Sequence, residues 1–498
     1  MGHLRSQGRG AVTPMVLASE SGGVAMTHSR QVRSRRRTAV GALVVAAGVM
    51  LTALTPGATA APGDVHAEIA RDINPGDDGS FPYYIAAAGP NIFYRASHPT
   101  YGIELWKTNA AGVTSLVRNL VSGNGSSYPE MITAVGGRVF FTAEDGASDK
   151  ELYVSDGTAA GTRRIKEINP FGNVDVGNLT DVNGTLFFSA VDTANDVELW
   201  KSDGTAAGTR RVRDIFPAGD SYPADFAVAG GLLYFTAVAP GGRYLWKSDG
   251  TAAGTVRVRA LNLQPIHVTA VGSKVYFSGA VNTDTNDREL WVSDGTAAGT
   301  KVVRNINATA GEGSFPEELA AVGDRVYFSA VDANHDRELY TSDGTAAGTR
   351  RVRNINTFVS DNPAQTSSDP AQLTDVNGTL YFTAIKNFEM ELWKSDGTFA
   401  GTVKLPESLG FGTSSPDQLT AVGDLLFYRT KTSIGSDQLW KTDGTPGGTE
   451  PVGPSGPSNN AQPGDLTDFG GTLYYREGFD APEAPAGGTE LWRATIEP

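Results

Sequence analysis

The 498-residue chain contains no cysteine. That excludes disulfide frameworks, cysteine-ligated zinc, iron–sulfur clusters, thiol catalysis and a lipid-modified cysteine anchor. Histidine is almost as scarce. Beyond residue 60 only His66, His98, His267 and His335 occur, and none is paired at metal-ligand spacing. There is no His-Glu-x-x-His, no Gly-x-Ser-x-Gly and no phosphate-cradling Gly-x-x-x-x-Gly-Lys. No stretch sustains a 3.6-residue apolar period, which predicts little helix. Positive charge is also in deficit, with 41 Lys+Arg against 55 Asp+Glu.

A basic run, Arg30 to Arg37, precedes an uncharged apolar stretch, Ala39 to Leu54, and then Ala58-Thr59-Ala60. This is the layout of a secretory signal cleaved before Ala61, and the apolar run is short for a membrane span of about 20 residues. An uncleaved anchor is the alternative. Met26 opens a signal of normal proportions, and Ser34-Arg35-Arg36 resembles a twin-arginine signal. The expected division is an N-terminal extension and signal peptide over 1–60 and one repeat domain over 61–498. Cleavage removes seven Arg and one Glu, leaving 34 basic and 54 acidic groups and a net charge of −20. Such a field disfavours nucleic acid and anionic membrane as partners. The expectation is a secreted, extracellular monomer with no membrane attachment after cleavage.

Glu-Leu-Trp recurs with its first residue at Glu104, Glu151, Glu198, Tyr244, Glu289, Glu338, Glu391, Gln438 and Glu490, at spacings of 45–53 residues. All 7 Trp occupy the third position of this motif, and Tyr153 and Tyr340 fill the other two. Four short β-branched or aromatic segments lie in each unit, for example Leu179 to Gly184, Leu186 to Ala190, the Glu-Leu-Trp segment and Arg210 to Ile215. Asn-Gly or Gly-Gly between the first two predicts a tight hairpin. Between the last two runs Ser-Asp-Gly-Thr-x-x-Gly-Thr. Its Asp156, Asp203, Asp249, Asp294, Asp343 and Asp396 are placed to accept backbone N–H bonds of the turn while Gly takes φ > 0. We read this motif as a structural fastener.

Four strands per unit of this length predict an all-β fold, a single β-propeller of four-stranded antiparallel blades. Ala67 to Gly76 matches a fourth strand, whereas the C-terminus stops after a third. One split blade would then close the ring through its N-terminal strand, giving nine blades, with eight as the alternative count. The Arg-rich fourth strand suits an outer edge, and the Trp and Phe/Tyr pairs suit inter-blade core.

The repeated ELWKSDGTAAGT, with its preceding YFSA run and following RVRDI strand, resembles the family named for its Glu-Leu-Trp-x-x-Asp-Gly-Thr repeat. The resemblance covers residues 67–496 and implies a secreted or surface bacterial propeller; it implies no particular activity. Unit one departs with Thr108-Asn109-Ala110-Ala111, unit four with Tyr244, unit eight with Gln438 and Thr442, and unit nine lacks the fastener. The Asp turn also resembles the Asp-box of sialidase-type propellers, and Ala190 to Trp200 the tryptophan repeat of quinone-dependent dehydrogenase propellers. Fold-level likeness decides no chemistry.

The loops between strands two and three, and those linking strand four to the next blade, vary in length and content and form the expected interaction face. Linking loops carry an aromatic before proline at Phe81, Tyr128, Tyr222 and Phe315. These rings suit stacking on sugars or partner side chains; the blander reading is that they plug the seams between blades. Asp332, Asn334 and Asp336 resemble the start of a calcium loop, although the sharp-turn glycine is missing and Arg337 interrupts. The blander reading there is a solvated polar turn. No catalytic residue is assigned, because acidic residues are plentiful and no pair stands out. The functional expectation is a non-enzymatic binding module for an extracellular polysaccharide or surface protein, without a cofactor other than calcium. The alternatives are a secreted glycosidase or lyase using acidic loop residues such as Asp287 and Asp336, and a quinone-dependent oxidoreductase.

Overall fold

The second and third segments of each unit are buried on both faces along most of their length, whereas the first and fourth are partly exposed, which leaves each repeat unit one stable solution, a twisted antiparallel sheet packed on its neighbours. The computed structural model describes residues 64–74, 79–146, 149–170, 172, 174–192, 196–281, 286–358, 366–405, 415–431, 437–453, 462–478 and 488–497. The export segment read in residues 1–60 lies outside them. Strands β1 to β36 follow in chain order and form nine four-stranded antiparallel sheets, with no helix among the described residues. The first blade is β2 (Tyr83–Ala88), β3 (Asn91–His98), β4 (Gly102–Asn109) and β5 (Thr114–Arg118). First strands of neighbouring blades touch around the ring, and β34 (Gly464–Phe469) returns to β2. The fold is a nine-bladed β-propeller.

Closure uses the split blade. β1 (Val65–Arg71) pairs with β36 (Thr489–Ile496), outside β35 (Thr472–Gly478) and β34. The register runs from Val65 opposite Ile496 to Arg71 opposite Leu491, with an irregularity after Ile69. Arg493 Nε donates to Glu68 at 2.8 Å in the middle of this ladder, and Glu497 N–H donates to the Asp64 carbonyl at 2.9 Å at its Val65 end.

The core lies between blades. In the third blade Phe188 and Trp200 are cross-strand partners, and they pack on Val135, Phe140, Leu152 and Val154 of the second. The other Trp or Tyr residues of the motif are equally buried. The fastener motif is locally closed. Asp203 Oδ1 accepts from Thr205 N–H at 2.8 Å and its hydroxyl at 2.7 Å, Thr205 Oγ1 accepts from Gly208 N–H, and Ser202 and Thr209 hydroxyls join at 2.7 Å. Asp156, Asp249, Asp294, Asp343 and Asp396 make the same two bonds to their threonines. Those bonds hold all six carboxyls below the usual range.

The second glycine answers a close approach, since a Cβ on Gly208 would lie 2.0 Å from the Asp203 carboxylate. Gly208→Ala is therefore expected to cost about 2 kcal/mol through this overlap. A denaturant midpoint unchanged from wild type would refute the packing account.

Arginines at the end of the fourth strand, and Arg259 just after it, do more than guard an edge. Arg118, Arg213, Arg259, Arg304 and Arg353 each donate to the carbonyl of the next blade's last fastener threonine, Thr162, Thr255, Thr300, Thr349 and Thr402, at 2.5–2.7 Å. The fastener of one blade is thus the anchor for the blade before it.

Candidate functional site

The linking loops are set by the glutamate of each Glu-Leu-Trp segment. Glu198 is buried and accepts from Ile215 N–H (3.1 Å), Phe216 N–H (3.3 Å) and Ser221 Oγ (2.8 Å). Its carboxylate ends the fourth strand, β13 (Arg210–Arg213), short of the expected Ile215 and ties the exit to the serine that precedes the aromatic residue. Glu104, Glu289 and Glu338 repeat the clasp on Ser127, Ser314 and Ser368, and Glu490 holds Ser80 across the ring closure. Sequence reasoning assigned these glutamates no role. The signal was the serine recurring 23–30 residues after a glutamate.

Directly after the clasped serine the backbone turns left-handed. Phe81, Tyr128, Tyr222 and Phe315 have φ of 46°, 45°, 42° and 45°, and Asp175, Gln264 and Asp369 take the same conformation. Tyr222 N–H points to Val197 O at 3.3 Å, while Arg243 donates to the Tyr222 carbonyl at 3.1 Å. Arg337 and Arg288 lock the Phe315 and Gln264 carbonyls in the same way, at 3.0 and 2.7 Å. The four rings stand one per blade in blades one, two, four and six, so they form no single aromatic box. They are exposed by 47%, 42%, 52% and 36%. The seam-plug reading is therefore corrected: the left-handed turn carries each ring outward. A non-glycine residue in this region costs on the order of 1 kcal/mol, and here burial does little to offset it.

Three residues further on, each first strand has an irregularity at a second left-handed residue, Tyr84, Met131, Asn178, Asp225, His267, Glu318, Gln372, Gln418 or Asp465. Side chains at these positions bridge blades. Asp225 accepts from His267 N–H at 3.1 Å and Glu318 accepts from Gln372 N–H at 2.9 Å. A pocket of about 440 Å³ opens in this inner wall, across β14 (Ala224–Ala229), β18 (Ile266–Val271) and β22 (Glu317–Val322).

Of the three candidate calcium ligands, Asp332 and Asp336 come together. Asp332 accepts from Asn334 N–H at 2.8 Å, and Arg351 of β25 (Arg350–Arg353) reaches both carboxylates, at 3.2 and 3.5 Å. A guanidinium thus stands between the two groups a cation would need. Burial, then the Asp332 charge, pushes the Asp336 carboxyl up to about 6. Asp287 lies in the corresponding loop of the fifth blade, where its carbonyl accepts from Val281 N–H at 2.8 Å.

The class defined so far is a closed propeller with strained, outward-facing aromatic residues on its linking-loop face. No protein-family model matches the chain, and no curated protein sequence matches it. Among solved structures it is similar to puromycin hydrolase, at 13% identity and a TM-score of 0.40, over 82% of this chain and 60% of that one. A prolyl endopeptidase is similar at 15% identity and a TM-score of 0.41, over 71% and 54%. A puromycin-hydrolyzing peptidase of Mycobacterium tuberculosis is similar at 12% and 0.38, over 86% and 63%. The chain spans less than two thirds of each of these proteins, and at such scores the likeness carries no argument about chemistry.

Proposed function

We propose that the protein is a secreted, non-enzymatic binding module of the Glu-Leu-Trp-x-x-Asp-Gly-Thr repeat family, and that its linking-loop face holds an extracellular polysaccharide. The observation that carries this reading is the presentation of Phe81, Tyr128, Tyr222 and Phe315. Each is strained, exposed and pinned from behind by a buried clasp. Rigid aromatic faces lose little conformational entropy on binding, and flat apolar rings suit the C–H faces of sugars.

Co-sedimentation of the purified chain with insoluble polysaccharides, in calcium and in a chelator, tests the reading. Tyr222→Ala or Phe315→Ala is expected to weaken binding about tenfold or more, the loss of roughly 1.5–3 kcal/mol for one buried aromatic contact. Binding is expected to be the same in calcium and in chelator, because the Arg351 guanidinium already stands between the Asp332 and Asp336 carboxylates. Turnover of the polysaccharide that disappears in Asp336→Asn or Asp287→Asn would replace this reading with a carbohydrate-active enzyme. Retention only on a protein from the producing cell's surface would replace the polysaccharide with a protein partner.

A further inference from the structure

A second cavity, of about 260 Å³, opens at the seam between the fifth and sixth blades. It is lined by Arg304 at the end of β21 (Lys301–Arg304) with Ile306 beyond it, by Tyr340 of β24 (Arg337–Ser342), and by Thr349, Arg350 and Arg351 at the start of β25. A substitution in the repeat accounts for it. Seven units carry Trp at the third position of Glu-Leu-Trp, and in the fourth and fifth the arginine of the preceding blade lies over the indole. Arg213 is 6.0 Å from the Trp246 ring centre, and Arg259 is 5.8 Å from that of Trp291. Tyr340 offers a smaller ring system in that place, and space remains beside Arg304. Tyr340 is only 6% exposed, yet its hydroxyl makes no hydrogen bond among the described residues and keeps contact with solvent, so it opens on the cavity that the residue lines. Burial, then the Asp332 charge, pushes this hydroxyl up to about 12, which keeps it a donor at neutral pH. The cations around it are only partly spent. Arg304 donates to Thr349 O at 2.7 Å and Arg350 to Gly397 O at 2.9 Å, and among the described residues neither is in an ion pair. A guanidinium has five N–H donors, so both keep donors to spare. Arg351 is balanced by Asp332 and Asp336, at 3.2 and 3.5 Å. Two uncompensated positive charges and an unpartnered phenolic donor thus share one cavity in an otherwise acidic chain.

We infer that this seam binds a small tetrahedral oxyanion of the sulfate or phosphate type, held by Arg304 from the fifth blade and by Arg350 and the Tyr340 hydroxyl from the sixth. Donors that come from two blades suit oxygens that point in three directions better than the flat pair of a carboxylate. Guanidinium bonds to such an ion are charge-assisted and roughly twice as strong as neutral ones. The cavity volume falls below the range of about 300–1,000 Å³ usual for cofactor-sized ligands, which selects a small group. A long polyanion would meet the adverse field of the whole chain, whereas a single ion is governed by charges within the screening length of about 8–10 Å. The bound ion would join the fifth blade to the sixth at their outer strands. This inference is independent of the polysaccharide reading.

The test is calorimetric titration of the full chain with sulfate and with phosphate at constant ionic strength, with acetate as the planar control. Sulfate and phosphate are expected to bind saturably, and acetate at least about tenfold more weakly. Saturable binding of only one of the two supports the inference and identifies which ion the site takes. Tyr340→Trp restores the residue of seven other units, so it is expected to fill the cavity and weaken binding at least about tenfold without lowering the melting temperature. Arg350→Gln removes one of the two uncompensated charges and is expected to weaken binding about tenfold. Arg210→Gln, at the matching place in the third blade beside Trp200, is expected to change nothing. Should Tyr340→Trp melt low, the contrast between Arg350→Gln and Arg210→Gln decides. The inference is overturned by the absence of saturable binding of either ion, by acetate binding as tightly, by full affinity in a folded Tyr340→Trp, or by equal losses in the two arginine variants.

Discussion

A chain lacking residues 64–73 is expected to melt far below the intact protein, with a loss on the order of 5 kcal/mol or more. The deletion removes all of β1, whose ladder with β36 runs from Val65 to Arg71. It strips the partly buried Val65, Ala67 and Ile69 from the core of the ninth blade. At about 1 kcal/mol per ladder bond and roughly 1–2 kcal/mol per apolar side chain, the sum is a large fraction of any domain's stability. It also exposes the length of β36 as an unpaired edge, which invites aggregation. Trimming Glu497 and Pro498 removes one hydrogen bond of the seam, to Asp64, and should cost at most about 1 kcal/mol. Equal melting temperatures for the two truncations would refute closure through β1.

Glu338→Ala is the point substitution expected to cost most, about 3–5 kcal/mol. Glu338 is fully buried and accepts from Ser368 Oγ (2.6 Å), Ile355 N–H (3.0 Å) and Asn356 N–H (3.4 Å). Alanine leaves the two buried backbone donors without an acceptor and Ser368 Oγ with only its long bond to the Arg337 carbonyl (3.4 Å), and orphaned donors cost more than the bonds were worth. Glu338→Gln keeps an acceptor oxygen and should be much milder, as Gln438 in the eighth unit already suggests. In the fourth unit Tyr244 replaces the clasp altogether: its hydroxyl bonds Pro240 O at 3.2 Å and Arg257 stacks on its ring at 3.8 Å.

Burial also gives the clasps a pH signature. It pushes the clasp carboxyls of Glu104 and Glu490 up to about 6 and Glu338 to about 8, and Glu151, at the same motif position, to about 7, against a model-peptide value near 4.3. The folded state therefore binds protons that the unfolded chain releases, and stability falls as pH rises from about 4.5 through these values. The fastener aspartates act in the opposite sense. Their lowered carboxyls contribute stability above the unfolded value, and it is lost as pH falls through the folded one. The melting temperature should therefore peak near pH 5 and decline toward both pH 8 and pH 3. A profile rising steadily from pH 5 to pH 8 would contradict the buried-clasp account.

Much of this fold is legible in the sequence because most of the nine units repeat the same rules in the same phase. Tryptophan in fixed phase marks one sheet face, Asn-Gly and Asp-Gly mark the turns, and the unmatched strand at Ala67 marks the closure. The clasp glutamates escaped because a charged residue inside a strand motif reads as solvent-facing, and its partners arrive 16–30 residues later in a loop. The outward turn of Tyr222 and Phe315 was equally hidden. Ser-aromatic-Pro fixes a bend, yet only the left-handed φ, set by the clasp behind and Arg243 or Arg337 beside it, decides whether the ring enters the seam or leaves it. The acidic loop at Asp332 resembled a calcium site because Arg351, which occupies the gap, comes from β25, beyond the strand that follows the loop. The inner-wall pocket depends on which residues three neighbouring blades place side by side, and no single repeat contains that information.

The most direct measurement replaces Phe81, Tyr128, Tyr222 and Phe315 together with glycine and records melting temperature and polysaccharide binding side by side. Glycine relieves four left-handed residues, worth on the order of 1 kcal/mol each, and removes the rings. If these residues exist to meet a ligand, the variant melts no lower than wild type, or higher, and no longer binds. A variant that melts well below wild type and still binds would show that the rings serve the fold and that the ligand lies elsewhere.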